Sequence, residues 1–216
     1  MKKLFSTSIW FLFIVPAIYL AIIWDRLPLK IPMHYNLAGE VDRYGNKTEL
    51  LTMVMVLTAV NVGVYLLLLN VHRIDPKRHA PENRDRMVRM GQGIAIFITA
   101  IQCFFIYTSM NEAVRPAPKL IFSAVGLLFC FLGNYMFNIR PNYFAGIRLP
   151  WTLENEENWR RTHKLAGKLW FAGGLVIAIV SLMVPANIAF IILLVMVGIM
   201  VLAPAIYSYR YFRSTR

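Results

Sequence analysis

Residues 146–164 read GIRLPWTLENEENWRRTHK, with two tryptophans, three glutamates, four arginines or lysines and a histidine. So polar a segment stands between two long apolar runs, and the reading of that contrast decides the fold. A window of about 19 residues moved along the chain finds apolar runs at 4–24, 50–71, 91–110, 120–138, 169–184 and 188–207. The fifth reaches membrane length when its helix is taken back one turn to 166. Composition agrees: 58% of the 216 residues are hydrophobic and 16% charged, where a soluble domain carries about a quarter charged. The expected fold is an all-α membrane protein of six transmembrane helices in a single domain, 1–216. Lys2 and Lys3 precede the first run as in a signal peptide, but it ends at Trp24-Asp25-Arg26 without a small-residue cleavage site. It is read as a retained span.

The formal charge of +12 would suggest nucleic acid in a soluble domain, yet its distribution follows the connections. Lys and Arg number 2, 6, 6 and 3 in the N-terminus, 72–90, 139–168 and the C-terminus, against 4, 2 and 0 in 25–49, 111–119 and 185–187. The positive-inside rule then places both termini and segment 139–165 in the cytoplasm. Charge is accounted for as a topology signal, and no direct nucleic-acid contact is expected. Cys103 and Cys130 fall within spans and read as small buried hydrophobes rather than a disulfide or a metal pair.

Within the spans, Pro16 and Pro204 are expected to kink their helices. Asn61 and Asn134 are the intramembrane polar residues of interest. Asn61 suits an interhelical hydrogen bond or a lumen, the former being commoner. No Asp, Glu, Lys, Arg or His lies at membrane depth, which weighs against an ion-coupled transporter. The external loop 25–49 begins extended, with Leu29, Ile31, Met33 and Tyr35 alternating against Lys30, Pro32, His34 and Asn36. Asn36 to Gly39 and Tyr44 to Asn46 carry turn residues, so the loop folds back. His34, Glu40 and Asp42 match no standard metal-ligand spacing. In the second connection Pro81 reads as the first-turn proline of a short helix resting on anionic lipid. The third, NEAVRPAPK, carries no recognisable chemistry.

For the opening stretch, Pro141 ends the fourth span, Gly146 and Pro150 bracket an irregular turn, and Thr152 can cap a helix. Glu154, Glu156 and Glu157 occupy its first turn, with Arg160, Arg161, Lys164 and Lys168 beyond, the order that complements a helix dipole. Glu156 to Arg160 and Glu157 to Arg161 are spaced i, i+4. Trp151, Asn155, Trp159, His163, Gly167 and Trp170 recur on one stripe, as in an interfacial helix anchored by indoles before the fifth span. An anchor leaves the irregular Asn142 to Thr152 unexplained.

That remainder carries a resemblance. Gly133-Asn134, Pro141-Asn142-Tyr143, Gly146-Ile147-Arg148-Leu149-Pro150-Trp151-Thr152-Leu153, Trp159 and Thr162 to Lys168 are similar to the signature of the bacterial SdpI family. Leu27-Pro28, Ile31 to Asn36, Gly39-Glu40 and Asp42 resemble a domain of unknown function common at the N-terminus of that family. Leu149 departs from the pattern, standing where the family usually has a threonine. The resemblance implies a six-span protein of the bacterial inner membrane, without cofactor, that gives immunity to a secreted membrane-active peptide toxin. It further implies signalling, by holding a small DNA-binding autorepressor at the membrane.

Three function classes follow from these readings. In the first, an immunity and signalling protein, Pro32, His34, Asn36, Gly39 and Asp42 face the toxin. The cytoplasmic residues Asn142, Tyr143, Gly146, Arg148, Pro150, Trp151, Thr152, Trp159 and His163 then meet the partner, since aromatic and arginine side chains suit protein contact. The second is a transporter or flippase of a small or amphipathic molecule. The third, an enzyme using Glu154, Glu156, Glu157 and His163, is not expected, because helix electrostatics accounts for those residues and no nucleophile or ligand pattern accompanies them.

Overall fold

The computed structural model describes residues 2–76, 80–110 and 118–215. The chain is mostly helical: α1 (Lys2–Ile23), α2 (Lys47–Ile74), α3 (Ala80–Met110), α4 (Pro118–Met136), α5 (Pro150–Glu154), α6 (Glu156–Met183) and α7 (Ala186–Ser214). Among the described residues, α1 to α4, α6 and α7 are the six helices long and apolar enough to cross a membrane. Side chains such as Phe11, Ile22, Leu127, Ile179, Met183 and Leu202 are at least half exposed on them. That outward apolar surface suits lipid rather than water. The six helices coincide with the six expected runs. The third connection, 111–119, falls on residues of which 111–117 lie outside those described.

Helix boundaries differ from expectation in an informative way. Instead of a short basic helix followed by a span, α3 runs unbroken from Ala80, with Pro81 in its first turn. Likewise α6 begins at Glu156 and continues to Met183 without a separate interfacial helix. Pro16 and Pro204 lie within α1 and α7, which continue through them.

Contacts gather into two compact units, Met1–Leu67 with Gly91–Pro118, and Leu68–Met90 with Lys119–Arg216. In the first, the extended segment after α1 is a β-hairpin of β1 (Ile31–Tyr35) and β2 (Val41–Gly45). Asn36 builds its turn: Oδ1 accepts from the N–H groups of Ala38 and Glu40, each at 2.9 Å. Gly39 completes the turn at φ 77°, a conformation that glycine adopts without a steric cost. Ile31 and Met33 are buried with Leu20, Ile23, Leu27, Leu50, Val54 and Ile106, so the hairpin is part of this unit's core. Simple alternation does not hold, because Pro32 is buried between them and the register shifts on both sides of His34. Between α2 and α3, Asn61 donates from Nδ2 to Ala95 C=O at 3.2 Å and to Thr99 Oγ1 at 3.3 Å. That is the interhelical bond expected of it.

In the second unit α4 lies antiparallel to α6 through paired glycines seven residues apart, two turns on one helix face. A Cβ on Gly174 would stand 2.5 Å from Gly126 O and 2.6 Å from Cys130 N, and one on Gly133 would stand 2.5 Å from Phe171 N. Close approach of this kind maximises dispersion contact where lipid offers no hydrophobic drive. Ser123 Oγ donates to Ala178 C=O at 2.8 Å across the same seam. Asn134, beside Gly133, is exposed on α4. α6 turns back at Val184-Pro185 into α7, and Trp170 Nε1 donates to Met200 C=O at 3.0 Å between them.

The glycine seam predicts that Gly174→Val lowers stability in detergent by about 2 kcal/mol, the scale of an overpacked core. Gly198, with nothing near an added Cβ, provides the control: Gly198→Ala leaves the thermal unfolding midpoint unchanged or slightly raised. Equal midpoints for Gly174→Val and the unmodified protein would exclude the seam.

Candidate functional site: the turn between α4 and α6

Thirteen residues, 137–149, separate α4 from α5, and their backbone is irregular. An irregular segment offers no ladder, so each buried N–H and C=O must find another partner. Side chains supply them here. Asn142 is wholly buried; its Oδ1 accepts from Phe144 N–H at 2.9 Å and Ala145 N–H at 2.7 Å, and its Nδ2 donates to Arg140 C=O at 2.9 Å. Asn83, also wholly buried, brackets Arg140 from α3: Nδ2 donates to Arg140 C=O, and Oδ1 accepts from Arg140 N–H, both at 3.0 Å. Asp75 accepts from Tyr143 N–H at 3.3 Å. Glu82 pairs with the Arg140 guanidinium at 3.1 Å.

From α6 come the two aromatic members. Trp159 is 1% exposed, and its Nε1 donates to Ile139 C=O at 2.8 Å. His163, equally buried, stacks on that indole with ring centroids 3.9 Å apart. Ile147 N–H donates to His163 Nε2 at 2.8 Å. Nε2 is therefore unprotonated, and Nδ1 carries the hydrogen that it donates to Trp159 C=O at 2.9 Å. The ring is neutral and both nitrogens are engaged. His163 stands in the charged first turns of α6, before its apolar part, and burial pushes its pKa down to about 4. Gly146 is required beside it for two reasons: its φ is 108°, and an added Cβ would lie 2.3 Å from Nε2.

Thr152 closes the turn. Its Oγ1 accepts from Leu149 N–H at 2.9 Å and faces the carbonyls of Ile147 and Leu149, each at 2.8 Å. This is half of a capping box, since Leu149 has no side-chain acceptor to return the bond. The departure at Leu149 is thus the missing half. Thr152 lies inside the short helix α5, whose first residue is Pro150, and the cap of α6 is Asn155, whose side chain accepts from Asn158 N–H. That corrects the expected cap at Thr152. Glu157 holds both Arg160 and Arg161, at 2.7 and 2.6 Å, and these partners lower its pKa, Arg161 first.

The expected indole stripe is also reassigned. Trp159, His163 and Gly167 face protein rather than headgroups, and Trp151 rests on Tyr209 and Phe212 of α7 with ring centroids 5.3 and 5.9 Å away. Of the nine residues of this segment singled out from sequence, Asn142, Thr152, Trp159 and His163 are buried. They build the turn. Tyr143, Arg148 and Pro150 are exposed, and Arg148 Nη1 donates to Tyr143 C=O at 2.9 Å, joining two of them. In the hairpin, His34 and Asp42 are exposed and paired at 2.6 Å, whereas Pro32 and Gly39 are buried and Asn36 is committed to the turn. Sequence reasoning missed Asn83, Asp75, Asn158, Thr162 and Ser208. The last three form a buried cluster: Asn158 Oδ1 accepts from Thr162 and Ser208 hydroxyls, each at 3.0 Å, and Nδ2 donates to Ser208 C=O at 3.1 Å. Their signal was the i, i+4 pair Asn158 and Thr162 on the face next to Trp159 and His163.

These features define a multi-pass membrane protein whose α4 and α6 are joined by a turn fixed through buried polar side chains. Residues 138–208, which hold the turn, α6 and most of α7, match the SdpI/YfhL protein family. Residues 11–58, covering most of α1, the hairpin and the start of α2, match a domain of unknown function, DUF1648. The immunity protein SdpI of Bacillus subtilis (strain 168) is 23% identical over 194 residues, covering 89% of this chain and 88% of its own length. No solved structure gives a match.

Two outcomes are expected of the turn. Trp159→Phe keeps the ring but leaves Ile139 C=O without its donor, lowering stability by about 1 to 3 kcal/mol; an unfolding midpoint equal to the parent's would contradict this. The second concerns pH. His163 binds its proton near pH 4 when folded and near 6.5 when unfolded, so its contribution is intact above pH 6.5 and is lost as pH falls toward 4. The full loss is about 3 kcal/mol. Measured across that range, the unmodified protein loses stability more steeply than His163→Asn; parallel profiles would contradict the assignment.

Proposed function

We propose that the protein is an SdpI-like immunity protein of the bacterial inner membrane, protecting its host from a secreted membrane-active peptide. The observation that carries the reading is the match to an immunity protein along most of both chains. Both termini and the turn are assigned to the cytoplasm on the charge distribution, 2, 6, 6 and 3 basic residues against 4, 2 and 0. The hairpin then faces outward, where its exposed His34–Asp42 pair and neighbouring Tyr44 meet the peptide. On the cytoplasmic side, Tyr143, Arg148 and Pro150 form a contact surface for a small repressor protein. Support for that role comes from rigidity: a surface held by Asn142, Trp159 and His163 loses little entropy on binding.

For the transporter alternative, Asn61 Nδ2 is engaged between α2 and α3, whereas its Oδ1 is buried without a partner among the described residues. In the third class, His163 offers no free nitrogen for acid–base work.

Expression in a toxin-sensitive bacterium tests the proposal. Survival above vector is expected with the intact protein, and survival near vector with Arg148→Ala or Trp151→Ala at equal membrane abundance. Intact protein that protects no better than vector would overturn it for that peptide.

A further inference from the structure

Beside the turn, Leu149 and Trp151 face α7 across an apolar groove of about 730 Å³. Its α7 wall is formed by Ile206, Tyr209, Arg210 and Arg213, spaced i, i+3, i+4 and i+7 and so on one helix face. Along that face apolar character gives way to cationic, at the point where the sixth apolar run ends at 207. Arg210 and Arg213 are exposed, and no carboxylate is paired with either among the described residues.

We propose that this groove is a binding site for one anionic diacyl phospholipid. An acyl chain lies along Ile206 and the Trp151 ring, and the phosphate meets Arg210 and Arg213. Charge complementarity selects this occupant: two exposed guanidiniums at the polar end of an apolar trough fit a lipid whose net charge is negative better than a zwitterionic one. The inference rests on the membrane reading of the chain and is independent of the immunity reading, so either can fail alone.

Native mass spectrometry of the full chain in detergent tests it, with dioleoyl phosphatidylglycerol and dioleoyl phosphatidylcholine as probes. A single phosphatidylglycerol adduct is expected at about tenfold lower lipid concentration than a phosphatidylcholine one, the scale of two interfacial arginine contacts. Arg210→Gln with Arg213→Gln removes the preference, and Lys164→Gln leaves it unchanged. Equal adducts with the two lipids in the unmodified protein would overturn the proposal, whether or not the variants fold. So would displacement of the adduct by millimolar inorganic phosphate, which would reveal a simple anion site.

Discussion

A neutral imidazole holds the second unit's turn together. His163 joins the backbone of α6, through Trp159 C=O, to the backbone of the turn, through Ile147 N–H. Because the ring is buried and accepts at Nε2, it can do this only uncharged, and because Gly146 lies against that nitrogen, only glycine fits beside it. Trp159 then extends the same connection to Ile139 C=O. Remove the imidazole and the turn keeps Asn142, Thr152 and the Trp159 bond to Ile139, but its Ile147 end loses its tie to the long helix. The constraint is general: irregular backbone near a bilayer is tolerated where protein groups satisfy it.

Two kinds of packing therefore meet in the second unit. Along α4 and α6 the helices approach backbone to backbone through glycines, with few polar groups involved. At the end of that seam polar side chains take over, from Asn83 and Asp75 on one side and Asn158 and Ser208 on the other. The first supplies close contact without specificity. The second fixes one backbone path and leaves Tyr143, Arg148 and Pro150 outermost, which is why a short exposed surface can be as well defined as a helix face.

How much of this was legible in sequence depends on how local the cause is. The six helices follow from the length of each apolar run and need no partner to be read. The helix start was misplaced because Thr152 and Asn155 are both good caps. Asn155 wins: it leaves Glu156 and Glu157 in the first turn of α6, while the Thr152 hydroxyl is taken by the Leu149 amide. Trp159 and His163 were placed on the right stripe, yet what the stripe faces depends on Ile139 and Ile147, which periodicity does not report. Asn83 lies 57 residues from the carbonyl it bonds, so nothing nearby in the chain distinguishes it from a solvated asparagine. Leu149 was read as a missing hydroxyl, and the half-formed capping box shows what that hydroxyl would have done.

Residue-resolved amide hydrogen exchange across 137–152 tests the central claim most directly. Slow exchange is expected at Arg140, Phe144, Ala145, Ile147 and Leu149, whose N–H groups are held by Asn83, Asn142, His163 and Thr152. Exchange at all five at the rate of an unstructured peptide would contradict it and make the segment an ordinary solvated loop.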